Sequence, residues 1–156
     1  MATLSILSKT YTRANSLSPN SSASMPARES FQTSRGCMRD QVNAIIKGGL
    51  WANSVIFITW DDWGGWFDHV DPPNVEPWTD GTQFRYGSRV GCLVLSPYAK
   101  RGYISKALHS HVSLLKFCET TFGLSALTKR DAAADDMSDC FDFQQPPAPP
   151  PASHPA

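Results

Sequence analysis

The sequence predicts an α/β fold built on a layered sheet. Two short runs of branched apolar residues carry that expectation, SVIFITW at 54–60 and RVGCLVLSPYA at 89–99. A segment with helical spacing precedes the first run, another follows the second, and a long loop separates the two. Strands that alternate with helices build layers, because each apolar sheet face must be covered by another element.

Taken in chain order, residues 1–36 are rich in Ser, Thr and Asn and lack periodicity, so they are expected to form a disordered tail. The first 28 residues hold Lys9, Arg13 and Arg28 and no acidic residue, a composition loosely like an organellar transit peptide. They lack the continuous apolar core of a secretory signal. Ordered structure is expected over 37–143. It begins with a short helix in MRDQVNAIIKGGLW, where Met38, Val42, Ile45 and Ile46 recur at helical spacing and Gly48-Gly49 ends the run.

The 54–60 run has the continuous apolarity of a strand buried on both faces. Residues 66–88 read as a long loop rich in Asp, Pro and Gly, a kind of segment that often carries function. The second strand ends at Ser96-Pro97, since proline removes a ladder donor. SHVSLLKFCETTFGL then reads as a helix with Leu114, Leu115, Cys118 and Phe122 on one face and Gly123 as its C-cap. From Gln144 the proline-rich QQPPAPPPASHPA is expected to run extended and unpacked over 144–156, with His154 in solvent.

Composition excludes several functions. Fourteen Lys and Arg balance 14 Asp and Glu, which gives no footprint for a nucleic-acid partner or an anionic membrane surface. No apolar run approaches the roughly 20 residues of a membrane span. The four cysteines, Cys37, Cys92, Cys118 and Cys140, are widely spaced and include no CxxC pair, which argues against a zinc site. Cys92 and Cys118 are expected as buried free thiols. Cys37 and Cys140 flank the ordered region, and their pairing is left open by the sequence.

The chemistry concentrates in TWDDWGGWFDHVDPP. Asp61 and Asp62 follow the first strand directly, at the carboxyl edge where open α/β sheets place their ligand sites. Gly64 and Gly65 let the chain turn there so that both carboxylates converge. Two close carboxylates repel unless a cation lies between them, and hard oxygen ligands suit Ca²⁺, Mg²⁺ or Mn²⁺. The plainer alternative is a solvated acidic turn with an Asp capping the next segment. Trp60, Trp63 and Trp66 pack the loop onto the sheet or wall the site from water. Asp68 and His69 could form a pair in which the carboxylate orients the imidazole. His111, at the start of the last helix, either caps it or points to the same strand end. His109 and Lys106 carry no separate signal.

Four blocks occur in this order: WANSVIFITWDDWGGWFDHVDPP, GSRVGCLVLSPYAKRGYIS, HVSLLKFCETTFGL and RDAAADDMSDCFDF. Together, over about 38–146, they resemble the C-terminal part of the bacterial phosphoesterase family that includes phosphatidylcholine-hydrolysing phospholipases C and a class of acid phosphatases. The resemblance implies a partial alkaline-phosphatase-like layered sheet with flanking helices. It implies metal-assisted hydrolysis of a phosphoester substrate, with phospholipid among the options, by a hydroxyl nucleophile. It makes Asp61 and Asp62 ligands of a divalent metal cation and sets Asp68 and His69 beside them. His111 matches the His of a DHTS-like segment, but Ser110 and Val112 replace its Asp and Thr, which weakens a catalytic role. Gly91 stands where the family often has Pro, a change expected to touch only the strand's entry.

The ENRSFD-like motif and the Ser or Thr nucleophile of the family have no counterpart here. The chain is therefore expected to be inactive alone and to need the N-terminal half of such an enzyme. The alternative is a non-catalytic cation- or phosphate-binding module derived from that family. A third reading, the Trp-rich loop as a carbohydrate platform, rests on the tryptophans only.

Overall fold

A computed structural model describes residues 3–9, 27–77 and 80–152, and for 3–9 and 27–35 the backbone path only. β1 (Thr3–Lys9) leads to α1 (Ala27–Lys47), and β2 (Ser54–Trp60) follows after a single 3₁₀ turn. β3 (Asn74–Pro77) and β4 (Gln83–Arg85) form a two-stranded antiparallel hairpin. β5 (Cys92–Leu95), α2 (His111–Phe122), α3 (Lys129–Ala133) and a 3₁₀ turn at Ser138–Cys140 complete the order.

The main sheet has the order β1-β2-β5, with β2 in the centre. β1 runs parallel to β2 in register Thr3↔Ser54 to Lys9↔Trp60, and β5 runs antiparallel with Thr59 opposite Cys92. Helices and a mixed sheet in one unit make the α/β class an observed property. β2 occupies the residues that its apolar run predicts, and Ile56 and Phe57, whose side chains point to opposite faces, are both fully buried.

The core lies on the Phe57 face. Phe57 meets Phe117 of α2 edge-on at 5.1 Å and Phe141 at 6.3 Å between ring centroids, and Leu114, Met137 and Cys140 close around them. Each buried aromatic or aliphatic side chain here contributes roughly 1.5–3 kcal/mol by leaving water. α2 begins where Ser110 N–H donates to Ser113 Oγ at 3.1 Å and stops at Gly123, in the left-handed region at φ 65°. A C-cap glycine was the expected stop.

Several expectations change. The stretch read as a disordered tail holds β1 and the start of α1, while 10–26 lie outside the described residues. β1 has no periodicity of its own to read; β2 supplies its ladder. α1 starts at Ala27, well before the expected Met38. The 66–88 loop contains the β3–β4 hairpin. The buried face of α2 is rotated, with Leu114 and Phe117 inside and Leu115 and Phe122 outward. Cys92 is exposed, Cys118 half-buried and Cys140 buried, and all four thiols are free.

The proline-rich segment is also docked. Trp51 Nε1 donates to Ala148 O at 2.9 Å, Ala148 N–H donates to Pro97 O at 2.9 Å, and Gln145 Nε2 reaches the Pro97 and Ala99 carbonyls. Proline lacks a donor but keeps its carbonyl, so the flanking Gln and Ala supply the contacts. His154 lies outside the described residues.

Candidate active site

The site forms where β2 ends. Asp61 and Asp62 follow Trp60, and the chain then turns through Gly64 at φ 70° and Gly65 at φ 78°. Only glycine enters this region without strain, so the pair sets the turn. Asp62 Oδ1 accepts the Gly64 N–H at 2.6 Å, and Asp61 has no hydrogen-bond partner among the described residues. Below the turn, the buried Thr59 Oγ1 donates to Gly91 O at 2.9 Å and ties β2 to the segment leading into β5.

A cavity of about 320 Å³ opens at this edge, with Asp61, Asp62, Arg89, His109 and His111 in its lining. The fold therefore brings Asp61, Asp62 and His111 together. His111 is the first residue of α2, and its Nε2 lies 2.8 Å from Trp60 O. A carbonyl only accepts, so Nε2 carries the proton and Nδ1 is the nitrogen left to other partners.

Asp68 and His69 line a neighbouring cleft that shares Arg89 with the first cavity. Asp68 is committed to Arg89 rather than to His69. Arg89 Nη2 lies 2.8 Å from Oδ1, Nε lies 3.0 Å from Oδ2, and the Arg89 N–H donates to Oδ2 at 2.9 Å. Val70 N–H adds a fourth bond. The Arg89 side chain, foremost, holds the Asp68 carboxyl well below the usual carboxylate range. His69 is exposed, with its ring edge-on to Phe67 at 5.1 Å.

The tryptophans do not seal the turn. Trp60 is 44% exposed, Trp63 48% and Trp66 80%. Trp60 has a packing role instead, since a Cβ at Gly91 would come within 2.9 Å of its ring. Gly91 thus makes room for an indole and does more than shape the entry to β5.

Two cavity residues were missed from sequence. Arg89 stood in the GSRV block without an assigned role, and its pairing across 21 residues has no local signature. His109 carried no signal at all, yet its ring is hemmed in by Ser105, Asp135 and Asp139.

Comparison with known proteins identifies the family. The profile of the phosphoesterase family matches residues 17–125. Phospholipase C B of Mycobacterium tuberculosis is 33% identical over 121 residues, 64% of this chain and 23% of that protein. The hemolytic phospholipase C of Pseudomonas aeruginosa is 30% identical over 115 residues, covering 61% of this chain and 16% of its own length. The non-specific phospholipase C6 of Arabidopsis thaliana is 29% identical over 122 residues, covering 65% and 24%. The chain thus spans at most about a quarter of the length of these relatives. With a profile match over more than half its residues, the chain belongs to the phosphoesterase family.

Proposed function

We propose that this chain carries one side of the active site of a phosphoric-ester hydrolase of the phospholipase C or acid phosphatase type. One observation carries the reading: Asp61, Asp62, Arg89 and His111 line a single cavity at the carboxyl end of the central strand. Three features support it. The acidic pair offers hard oxygen donors, Arg89 offers a planar cation, and His111 is held in one tautomer.

Asp61 and Asp62 are the residues that would hold a divalent cation. The donor set fits, since Asp61 is free of hydrogen-bond partners among the described residues and Asp62 gives one oxygen to the turn and keeps the other. Carboxylate oxygens suit Ca²⁺, Mg²⁺ or Mn²⁺. Bound there, the ion would polarise phosphoryl oxygens and neutralise developing charge.

Arg89 uses Nε and one Nη2 proton on Asp68, which leaves guanidinium donors for a phosphoryl oxygen at the cavity. Asp68 then positions the arginine. His69 lies on the substrate side of the neighbouring cleft. The hydroxyl nucleophile, in this reading, comes from a segment outside the matched blocks, and β1-β2-β5 forms part of an alkaline-phosphatase-like layer.

The test is hydrolysis of a generic phosphomonoester and of phosphatidylcholine, with and without Ca²⁺, Mg²⁺ or Mn²⁺, alongside metal titration of the same sample. Metal-dependent turnover lost in Asp61→Asn supports a hydrolase site. Metal or phosphate binding without turnover fits one side of a hydrolase site and the non-catalytic binding module alike, and turnover gained on adding a segment that supplies the hydroxyl nucleophile separates the two. A folded chain that binds neither overturns both.

A further inference from the structure

A second donor cluster lies beside the proposed active site and shares none of its acidic residues. A ring nitrogen of His109, a carboxylate oxygen of Asp139 and Cys140 Sγ all lie within 4.8 Å of one another. Asp139 Oδ1 is 3.5 Å from His109 Nε2 and 3.5 Å from Cys140 Sγ. Zinc bonds of roughly 2.0–2.3 Å put tetrahedral ligands about 3.5 Å apart, so both Asp139 contacts already have the required spacing.

The surroundings orient the donors. Asp139 Oδ2 is taken up by the Tyr103 hydroxyl at 3.0 Å and the Ser105 hydroxyl at 2.5 Å, which leaves Oδ1 facing the imidazole and the thiol. On the far side of the ring, Asp135 Oδ1 is 2.9 Å from His109 Nδ1. Nδ1 is buried and makes no hydrogen bond among the described residues, so Asp135 is a close electrostatic neighbour of the ring rather than an aligned partner.

Ser105 Oγ, 2.8 Å from His109 Nε2 and 2.5 Å from Asp139 Oδ2, links the imidazole to the carboxylate and holds both donors in place.

We propose that His109, Asp139 and Cys140 bind a borderline transition-metal ion of the Zn²⁺ type. The mixed nitrogen, oxygen and sulfur set favours zinc over the hard cations expected at Asp61 and Asp62. Binding forms one bond to each donor and releases the Cys140 thiol proton to solvent. The fourth position goes to water or to Ser105 Oγ. The ion pins the segment before α2 to the 3₁₀ turn at Ser138–Cys140, which lies beyond α3 in the chain, and so fixes one wall of the cavity that His109 lines. The absence of a CxxC pair argues against a zinc site from sequence, but one cysteine suffices when the fold supplies the other donors.

The experiment is Co²⁺ titration of the full chain carrying Cys37→Ser and Cys92→Ser, which removes the exposed thiols. A thiolate-to-cobalt charge-transfer band should appear, and equimolar Zn²⁺ should erase it. Cys140→Ser should abolish the band, and His109→Gln and Asp139→Asn should each weaken binding at least tenfold. Asp61→Asn should leave the band unchanged, which separates this site from the proposed active site. Cys140 is buried, so circular dichroism must show that its variant folds; if it does not, His109→Gln decides. No band from a folded parent, or equal affinity in His109→Gln, overturns the proposal.

Discussion

His111 Nε2 sits 2.8 Å from the carbonyl oxygen of Trp60, which joins the first residue of α2 to the last residue of β2. The bond closes one wall of the cavity beside Asp61 and Asp62. His111→Ala should cost about 1 kcal/mol of stability, the usual net value of one hydrogen bond. Urea unfolding of the variant checks this, and an unchanged midpoint would show that the bond does not hold the helix.

Asp61→Asn and Asp62→Asn should each weaken divalent-metal binding more than tenfold, about 1.4 kcal/mol, since each removes a charged oxygen donor. In Asp62→Asn the new amide oxygen can still accept the Gly64 N–H, so the turn should survive in that variant. Calorimetric titration with Mn²⁺ measures the affinities. Equal values in wild type and both variants would end the metal-site reading.

Arg89→Lys should behave much like Arg89→Ala, because a single ammonium cannot reproduce the forked contact with Asp68. Asp68 has its folded pKa depressed, so its contribution to stability is present above its ordinary 3.8 and is lost as pH falls through the depressed value. The stability gap between wild type and either variant should therefore hold at neutral pH and close in strong acid. Carboxyl NMR titration of Asp68 should show its pKa rising in both variants, but staying below the ordinary range, because the Arg89 and Val70 backbone N–H donors remain.

Glu119→Gln should raise the melting temperature by a few degrees at neutral pH. Glu119 is 4% exposed, and burial, with the Asp131 carboxylate as neighbour, pushes its pKa up from 4.5. A group raised on folding stabilises while it is protonated, and that contribution is lost as pH rises through the folded pKa. The wild type should lose stability above pH 4.5 while the glutamine variant does not, and the two should converge below it. Melting curves across that range test the sign.

Much of the frame was legible locally. β2 announces itself by a continuous apolar run and α2 by helical spacing, although the face α2 buries is rotated from the expected one, and Gly123 marks a helix end by its backbone freedom. The position of Asp61 and Asp62 at a strand's end was legible for the same reason. β1 was not, since TLSILSK intersperses its few aliphatic residues with serines inside a Ser-rich stretch, and only its pairing with β2 marks it as a strand. The exposed tryptophans misled because apolarity alone does not say which side chains find a partner.

The sequence by itself determined which residues form the central strand and α2, where the acidic pair lies and which family the chain resembles. Those properties rest on short-range spacing and local backbone preference. Only the tertiary structure decided that Arg89 grips Asp68 across 21 residues, that His109 meets Asp139 and Cys140, and that Ala148 returns to Pro97. Such pairs form because packing around Phe57 brings distant segments within bonding reach, and no local pattern records a distance set by the core.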